Sequence, residues 1–434
     1  MGYYFSGMNR RLFSLTLLVL MLWLQACQLP QRSRRPAGNT ADVYNPARVT
    51  IHPDFLINHI NDSTSVLYIR IFPAELLFNQ ANEQGRFLAK LKVGFVLEEK
   101  TQGGHNNVID SASVVRTLNR SEMRNSFFTA LPLKALFGNR YMVKVSIEDI
   151  LRGTVSEHYL LVDKTTPFGA QNFRVISAST GYPSFTMDFK TGEKFRILFN
   201  RMGYDSLYVD YYKPDQSLPR PIFSTAPEVP VPSYPDSVWT LPFNDSSLYE
   251  LPKRGIYHFR LTTDHKEGLS LFNFGEDFPR VQSPDNLLGP LVYLTYSAEF
   301  RDLRMEPNRK LAIDNFWLKL AGSMDAAREL IRVFYNRVLY TNLYFTSYKE
   351  GWKTDRGMIY IIFGPPNLLD KSLNVEKWTY FTRRGNTPIE FVFDRENNLF
   401  TYKDFVLNRN ISSTGYWSDA VRSWKRGKIY SPEY

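Results

Sequence analysis

Between residues 350 and 357 the chain reads Glu350-Gly351-Trp352-Lys353-Thr354-Asp355-Arg356-Gly357, which brings two carboxylates, an indole, a hydroxyl and a guanidinium into one short stretch. Paired carboxylates such as Glu350 with Asp355, or Glu376 with Glu390, are equipment for general acid–base work, for instance on a glycosidic bond. Carboxylates beside a turn more often serve as hydrogen-bond acceptors. In that reading Asp355 takes local backbone N–H groups and Arg356 reaches for a planar acceptor, so the turn is fastened rather than reactive. Other machinery has no residues to draw on. No histidine or cysteine follows His265, which excludes a His-based triad, a thiolate nucleophile and a histidine-liganded metal from the C-terminal third. The six histidines (His52, His59, His105, His158, His258 and His265) show no metal-ligand spacing. A glycine-rich phosphate loop, a Gly-x-Ser-x-Gly elbow and an internal repeat are all missing. The expectation is no catalytic residue, no metal and no cofactor.

The elements that must hold this stretch can be read around it. Met358 to Phe363 is a continuous apolar run of strand length, with Gly357 before it and Gly364-Pro365-Pro366 after it, and predicts a buried central strand. Upstream, Ile313, Phe316, Trp317 and Leu320 share one helical face, as do Ala327, Leu330, Ile331, Phe334 and Val338, with Gly322-Ser323 capping the junction. Leu291 to Leu294 is a short strand candidate, and residues 296–304 hold a helical turn or two. Downstream, 376–381 alternates as a strand carrying Trp378, and 389–393 with 399–402 reads as a hairpin. Helices followed by an antiparallel meander predict an α+β layer over 288–434, with Trp352 anchoring the sheet onto the helices.

The residues Gly351, Trp352, Thr354 and Asp355, with Phe316-Trp317, Phe334-Tyr335-Asn336-Arg337-Val338 and Phe363-Gly364-Pro365-Pro366 around them, resemble the signature of the GWxTD-domain proteins, a family of Bacteroidota envelope lipoproteins. The resemblance covers roughly residues 288–434 and implies a family, not an activity. It marks Gly351, Trp352, Thr354, Asp355, Arg356, Gly357, Gly364, Pro365 and Trp378 as motif residues with a structural or binding role, the structural one favoured.

The start of the chain speaks of export. From Met8, a second candidate start after Met1, a basic Asn-Arg-Arg precedes an apolar run from Leu12 to Leu24 and then Gln25-Ala26-Cys27. The run holds roughly thirteen residues where a membrane-spanning helix needs about twenty, so 1–26 reads as a signal peptide. Cys27 is the only cysteine, and its setting resembles a bacterial lipobox, so Cys27 is the expected lipidated N-terminus. Acyl chains would tether the protein to a membrane without spanning it. Residues 27–49 carry Pro, Gly and Arg without periodicity and read as a flexible linker.

With 43% hydrophobic and 15% aromatic residues over 434 positions, the chain can bury more than one core. Short alternating runs at 65–72, 87–97, 141–147 and 155–162 predict a β-sandwich over 50–166, and runs at 194–199, 206–212 and 255–261 predict a second β-rich domain over 170–280. The proline-rich stretch Pro214–Pro242 between two of these runs reads as a long surface loop. The expected fold is therefore multidomain: two β-sandwich-like (Ig-like) domains followed by an α+β domain. The formal charge of +10 falls to about +8 once Arg10 and Arg11 leave with the signal. Dispersed basic residues and no recognised module argue against nucleic acid. The expected function is a non-catalytic scaffold in an outer-membrane complex for assembly, secretion or uptake, on the periplasmic or surface face, with an envelope protein as partner. The alternative is a lipoprotein that binds or cleaves glycan, and lipopolysaccharide is a further candidate partner.

Overall fold

Alternation builds the first module. In β2 (Thr64–Ile71), which pairs with β1 (Asp54–His59), every second side chain is buried. The computed structural model describes residues 40–431 apart from 82–84, 101–105, 228, 383–386 and 410–413. The expected signal peptide, Cys27 and the spacer up to residue 39 lie outside the described residues. Strands β1, β2 and β6 (Phe127–Lys134) form one antiparallel sheet. The facing sheet holds β3 (Gln80–Ala81), β4 (Phe87–Lys100), β5 (Asn106–Asn119), β7 (Arg140–Asp149) and β8 (Thr154–Asp163). In β4 the side chains of Ala89, Leu91, Val93, Phe95 and Leu97 enter the shared core while Lys92 faces water, as the alternation requires. Sequence reading missed β1, β5 and β6: β1 ends in a buried run without alternation, β5 is largely polar, and β6 is interrupted by Pro132.

The second module packs a ribbon of β9 (Phe173–Ser177) and β10 (Phe195–Phe199) on a sheet ordered β12-β11-β13-β14, from β11 (Ser206–Tyr212), β12 (Ser237–Pro242), β13 (Gly255–Arg260) and β14 (Leu269–Asn273). Phe195, Ile197, Leu207, Val209, Phe259 and Leu271 fill the space between them. The expected proline-rich loop shortens to 213–236, because Ser237–Pro242 pairs with β11 as an edge strand ending in proline.

The third module sets helices α1 (Pro284–Leu288), α2 (Ser297–Met305), α3 (Arg309–Ala321), α4 (Met324–Phe345), α5 (Asp355–Phe363) and α6 (Thr414–Lys425) against an antiparallel meander of β15 (Leu368–Lys371), β16 (Val375–Tyr380), β17 (Ile389–Arg395) and β18 (Phe405–Leu407). Gly322, left-handed at φ 73°, closes α3, and Ser323 opens α4 by accepting the Ala326 N–H. The core runs through Trp317, Phe334, Phe345, Ile359, Trp378, Phe393 and Trp424. Each fully buried side chain of this size contributes about 2–3 kcal/mol of apolar burial.

Three expectations for this module are corrected. Met358–Phe363 is not a strand: the run lies in helix α5, whose residues are all buried. A helix buried on every side shows no amphipathic period and is indistinguishable from a central strand by pattern. The deciding signal was Thr354 at the N-cap, whose hydroxyl accepts the Gly357 N–H. Leu291–Leu294 is likewise helical, as a 3₁₀ turn over Gly289–Tyr293. Residues 399–402 pair with no strand; β17 takes Phe405–Leu407 as its neighbour instead.

The expected flexible linker 27–49 also ends earlier than predicted. Ala41–Tyr44 is a 3₁₀ turn docked on the third module, with Thr40, Ala41 and Tyr44 buried and the Thr40 N–H donating to Leu369 O at 3.1 Å.

Candidate functional site

The signature turn is bound into its surroundings group by group. Gly351 donates its N–H to Thr346 Oγ1 at 3.1 Å, and its carbonyl accepts Thr354 Oγ1 at 2.8 Å. Trp352 donates its N–H to Asn342 Oδ1 and accepts Tyr293 Oη at 2.7 Å on its carbonyl. The two motif glycines are set by close approach: a Cβ on Gly351 would lie 1.9 Å from Thr341 O on α4, and one on Gly357 would lie 2.0 Å from Gly351 O. A side chain at Gly351 would push the turn off α4, and one at Gly357 would push α5 off the turn.

Trp352 is half-buried, and it does not sit between helices and sheet as the sequence suggested. Its ring lies over Gly289, where a Cβ would approach to 2.9 Å, and edge-on to Tyr293 at 6.4 Å. The indole therefore ties the signature turn to the 3₁₀ segment that enters the module.

The charged residues of the motif each have a buried partner. Asp355 accepts the Leu407 N–H at 2.8 Å and a two-pronged contact from Arg409, Nη1 to Oδ2 at 3.1 Å and Nη2 to Oδ1 at 2.6 Å. Arg356 donates Nη1 to Glu376 Oε1 at 3.0 Å and Nη2 to Lys403 O at 2.6 Å, with its guanidinium stacked 4.4 Å from the Phe405 ring centre. Glu376 also meets Lys371 Nζ at 2.9 Å, Trp378 Nε1 at 3.3 Å and Tyr44 Oη at 3.2 Å. Burial opposes ionisation of Glu376, but Lys371 and Arg356 outweigh it and hold the carboxyl well below its ordinary range. Tyr44 is pushed up by burial and by Glu376. Beyond the helix, Gly364 accepts Tyr380 Oη at 2.9 Å on its carbonyl, half-buried Pro365 follows it, and Trp378 lies in the core against Phe393.

The carboxylate pairs named from the sequence do not face each other as acid and base. Glu350 pairs with Lys353 at 2.7 Å and Arg254 at 3.3 Å. Glu376 lies in the buried cluster just described, while Glu390 sits on the exposed side with Lys377. Among the described residues no group of His, Cys, Asp and Glu could hold a metal ion.

Next to the signature lies a cleft that sequence reasoning missed. Loop 213–236 folds across the start of α5: Arg409 donates to Arg220 O at 3.0 Å and Pro221 O at 3.3 Å, Lys349 Nζ to Ser217 Oγ at 3.3 Å, and Ile222 enters the core of the third module. Between loop and helix remains a cavity of about 320 Å³, bordered by Pro219, Arg220, Val231, Tyr348, Lys349, Thr354, Asp355, Glu396 and Asp404. Asp404 is buried, and burial raises its carboxyl pKa. The prolines of the loop were legible, but where the loop lands was not.

The family whose profile matches this chain is the GWxTD domain, over residues 255–426. Those residues form a GWxTD domain. The domain begins earlier than the resemblance at 288 implied, because β13 and β14 contribute Ile256 and Phe272 to a common cluster with Tyr348 and Phe400. No curated protein matches the chain. Solved structures it is similar to include Bacteroides uniformis β-glucuronidase 2 covalently bound to cyclophellitol-6-carboxylate aziridine, at 10% identity over 38% of this chain and 16% of that one, with a TM-score of 0.19. A second is Bacteroides uniformis β-glucuronidase, at 9% identity over the same shares and the same score. At that score the likeness carries no argument about the GWxTD domain, and the chain spans about a sixth of those enzymes' length. Among the described residues no helix is long and apolar enough to cross a membrane.

Proposed function

We propose that this chain is a non-catalytic scaffold of the cell envelope, held to the outer membrane through a lipid on Cys27, on its periplasmic or surface face. Its GWxTD domain and loop 213–236 together present a binding surface to another envelope protein. The observation that carries this reading is the use of the signature. Thr354, Asp355 and Arg356 are committed to internal bonds that position α5 and, through Arg409, the loop. Side chains spent this way support a framework role and leave the loop as the part that meets a partner. Val229 and Tyr234 on that loop are exposed, at 56% and 88%. A second reading, binding or cleavage of a glycan, is favoured by one feature: Asp404, with its raised carboxyl, beside Glu396 in the cleft. Lipopolysaccharide belongs with this reading.

The test is a pull-down of the full chain from detergent-solubilised membranes. Stoichiometric recovery of a membrane protein, lost in Val229→Ala/Tyr234→Ala at an unchanged melting temperature, is the expected result. Retention on a glycan column that disappears in Asp404→Asn would overturn the scaffold reading. Cys27→Ser should end acyl labelling and move the protein to the soluble fraction; unchanged fractionation would remove the anchor from the proposal.

A further inference from the structure

Three of the sheet edges in this protein are visibly covered. The outer edge of β8 is capped by Gln171, which donates Nε2 to Leu161 O at 2.7 Å and accepts the Asp163 N–H at 2.9 Å. The edge of β14 is covered by residues 187–189, through Phe272 N–H to Met187 O and Phe189 N–H to Phe272 O. On β15 the outer Leu369 carbonyl takes the Thr40 N–H. Strand β5 differs. It pairs with β4 alone, and among the described residues no side chain bonds its outer backbone groups from 112 to 118. Over Ser111-Ala112-Ser113-Val114-Val115 it carries no charge, no proline and no bulky side chain, so none of the usual devices that keep a second strand away is present. Its one irregularity falls at Ile109, outside this segment, where the register with β4 skips a residue. Val115 stands 53% exposed and Ser111, Ala112 and Ser113 are exposed.

The charges that flank the neutral segment decide what fits there. Asp110 and Arg116 lie at equal distance on either side of Ser113 and on the same face of the strand, opposite Leu97 and Leu91 of β4. We propose that β5 is the edge through which two copies of this chain pair antiparallel, with Ser113 on the two-fold axis. In that register Asp110 of each copy faces Arg116 of the other, Ser111 faces Val115, and Ala112 faces Val114. The interface is isologous, so the one complementary charge pair occurs twice. Asp110 already accepts the Ser111 and Lys134 N–H groups at 2.9 Å each, and a carboxylate has further lone pairs for a guanidinium. Small side chains at 111–113 let the two backbones approach to the spacing of about 4.8 Å that pairing needs.

The experiment uses the full-length chain with its only native cysteine replaced, Cys27→Ser, in detergent micelles. Light scattering at tens of micromolar should give the protein mass of two chains. Ser113→Cys should then form a disulfide-linked dimer under mild oxidation, since directly facing Cβ atoms come to about 4.5 Å, the upper end of the span a disulfide bridges. Ser111→Cys should not, because the two copies of that residue sit about 14 Å apart along the strands. A mixture of Ser111→Cys and Val115→Cys chains should cross-link to each other. Arg116→Asp should weaken association by about tenfold, because symmetry puts two like-charge contacts into the interface. A monomeric mass at these concentrations, or equal cross-linking at 111 and 113, overturns the proposal, and capture of a foreign extended peptide by a monomer would assign the edge to another partner.

Discussion

In each β module a histidine stands across a strand pair from a serine. His59 faces Ser65, with Nδ1 at 2.9 Å from the hydroxyl and Nε2 donating to Asp163 O; His258 faces Ser270, with Nδ1 at 2.8 Å and Nε2 donating to Lys266 O. Both rings are buried, and both are held neutral, burial pushing each pKa down to about 4. The third module, around its signature turn, relies on ions rather than a neutral pair. It keeps full charges inside, Glu376 between Arg356 and Lys371, and Asp355 against Arg409. Neutral pairs cost little to desolvate and fix a local register. Buried ions are costly to desolvate and hold only while every partner is present, which suits a region where three chain segments must meet in one arrangement.

The largest effect should come from breaking the charged region. Glu376→Ala strands Arg356 and Lys371 in the core and should cost about 3–5 kcal/mol of unfolding free energy by denaturant titration. A loss below about 1 kcal/mol would mean that the cluster is hydrated in solution and the contrast with the β modules is unfounded.

Acid should reverse the order of vulnerability. Each histidine has a folded pKa below its ordinary value near 6.5, so as pH falls below 6.5 the unfolded chain binds a proton that the native one refuses. Stability is intact above about pH 6.5 and declines toward pH 4, by about 3 kcal/mol for each histidine. Glu376 is shifted the other way: its depressed carboxyl holds its stability above the ordinary glutamate range, near 4.3, and loses it only as pH falls further. Between pH 6 and 5, hydrogen exchange should therefore rise in the two β modules before the charged region around Glu376, and His258→Gln should flatten the second module's response. Simultaneous loosening of both regions would erase the distinction.

How much of this was legible in the sequence follows from the same contrast. β2, β4 and β7 announce themselves because one face is wet and the other dry, and α3 and α4 do so because each keeps a polar stripe. Helix α5 could not, since all its sides are buried, and only the cap at Thr354 distinguished it from a strand. That Asp355 would accept hydrogen bonds was foreseeable, but the local backbone donors expected for it are not the ones it takes: it opens helix α5 and its backbone partner is the distant Leu407 N–H. Arg409, Lys371, Glu376 and Tyr44 as partners were not foreseeable, because nothing local in a sequence says which distant charge a buried ion will find. The landing of loop 213–236 was hidden for the same reason.

Trp352 offers a finer cut. Because the indole is half-buried against Gly289 and Tyr293, Trp352→Ala should cost about 2–3 kcal/mol, below the 3–5 kcal/mol of a fully buried aromatic. A loss in the higher range, measured by denaturant titration, would put the ring in the charged region's core after all.

The smallest effect concerns the segment that joins the charged region from outside the domain. Tyr44 donates its hydroxyl to Glu376 and lends its carbonyl to Tyr360 Oη at 2.7 Å, while its ring packs 4.8 Å from Phe345. Tyr44→Phe keeps the ring and the backbone bond and deletes only the hydroxyl. Lys371 and Arg356 still neutralise Glu376, so the cost should be about 1 kcal/mol, that of one hydrogen bond to a charged group partly made good by its neighbours. The same substitution should loosen residues 40–44 without unfolding the domain, and limited proteolysis between 40 and 50 would show it. Resistance equal to wild type would mean that the aromatic packing alone holds the segment. A loss near that of Glu376→Ala would mean that the cluster depends on Tyr44 as much as on its ions, and that the chain entering from the N-terminal side is part of the GWxTD core.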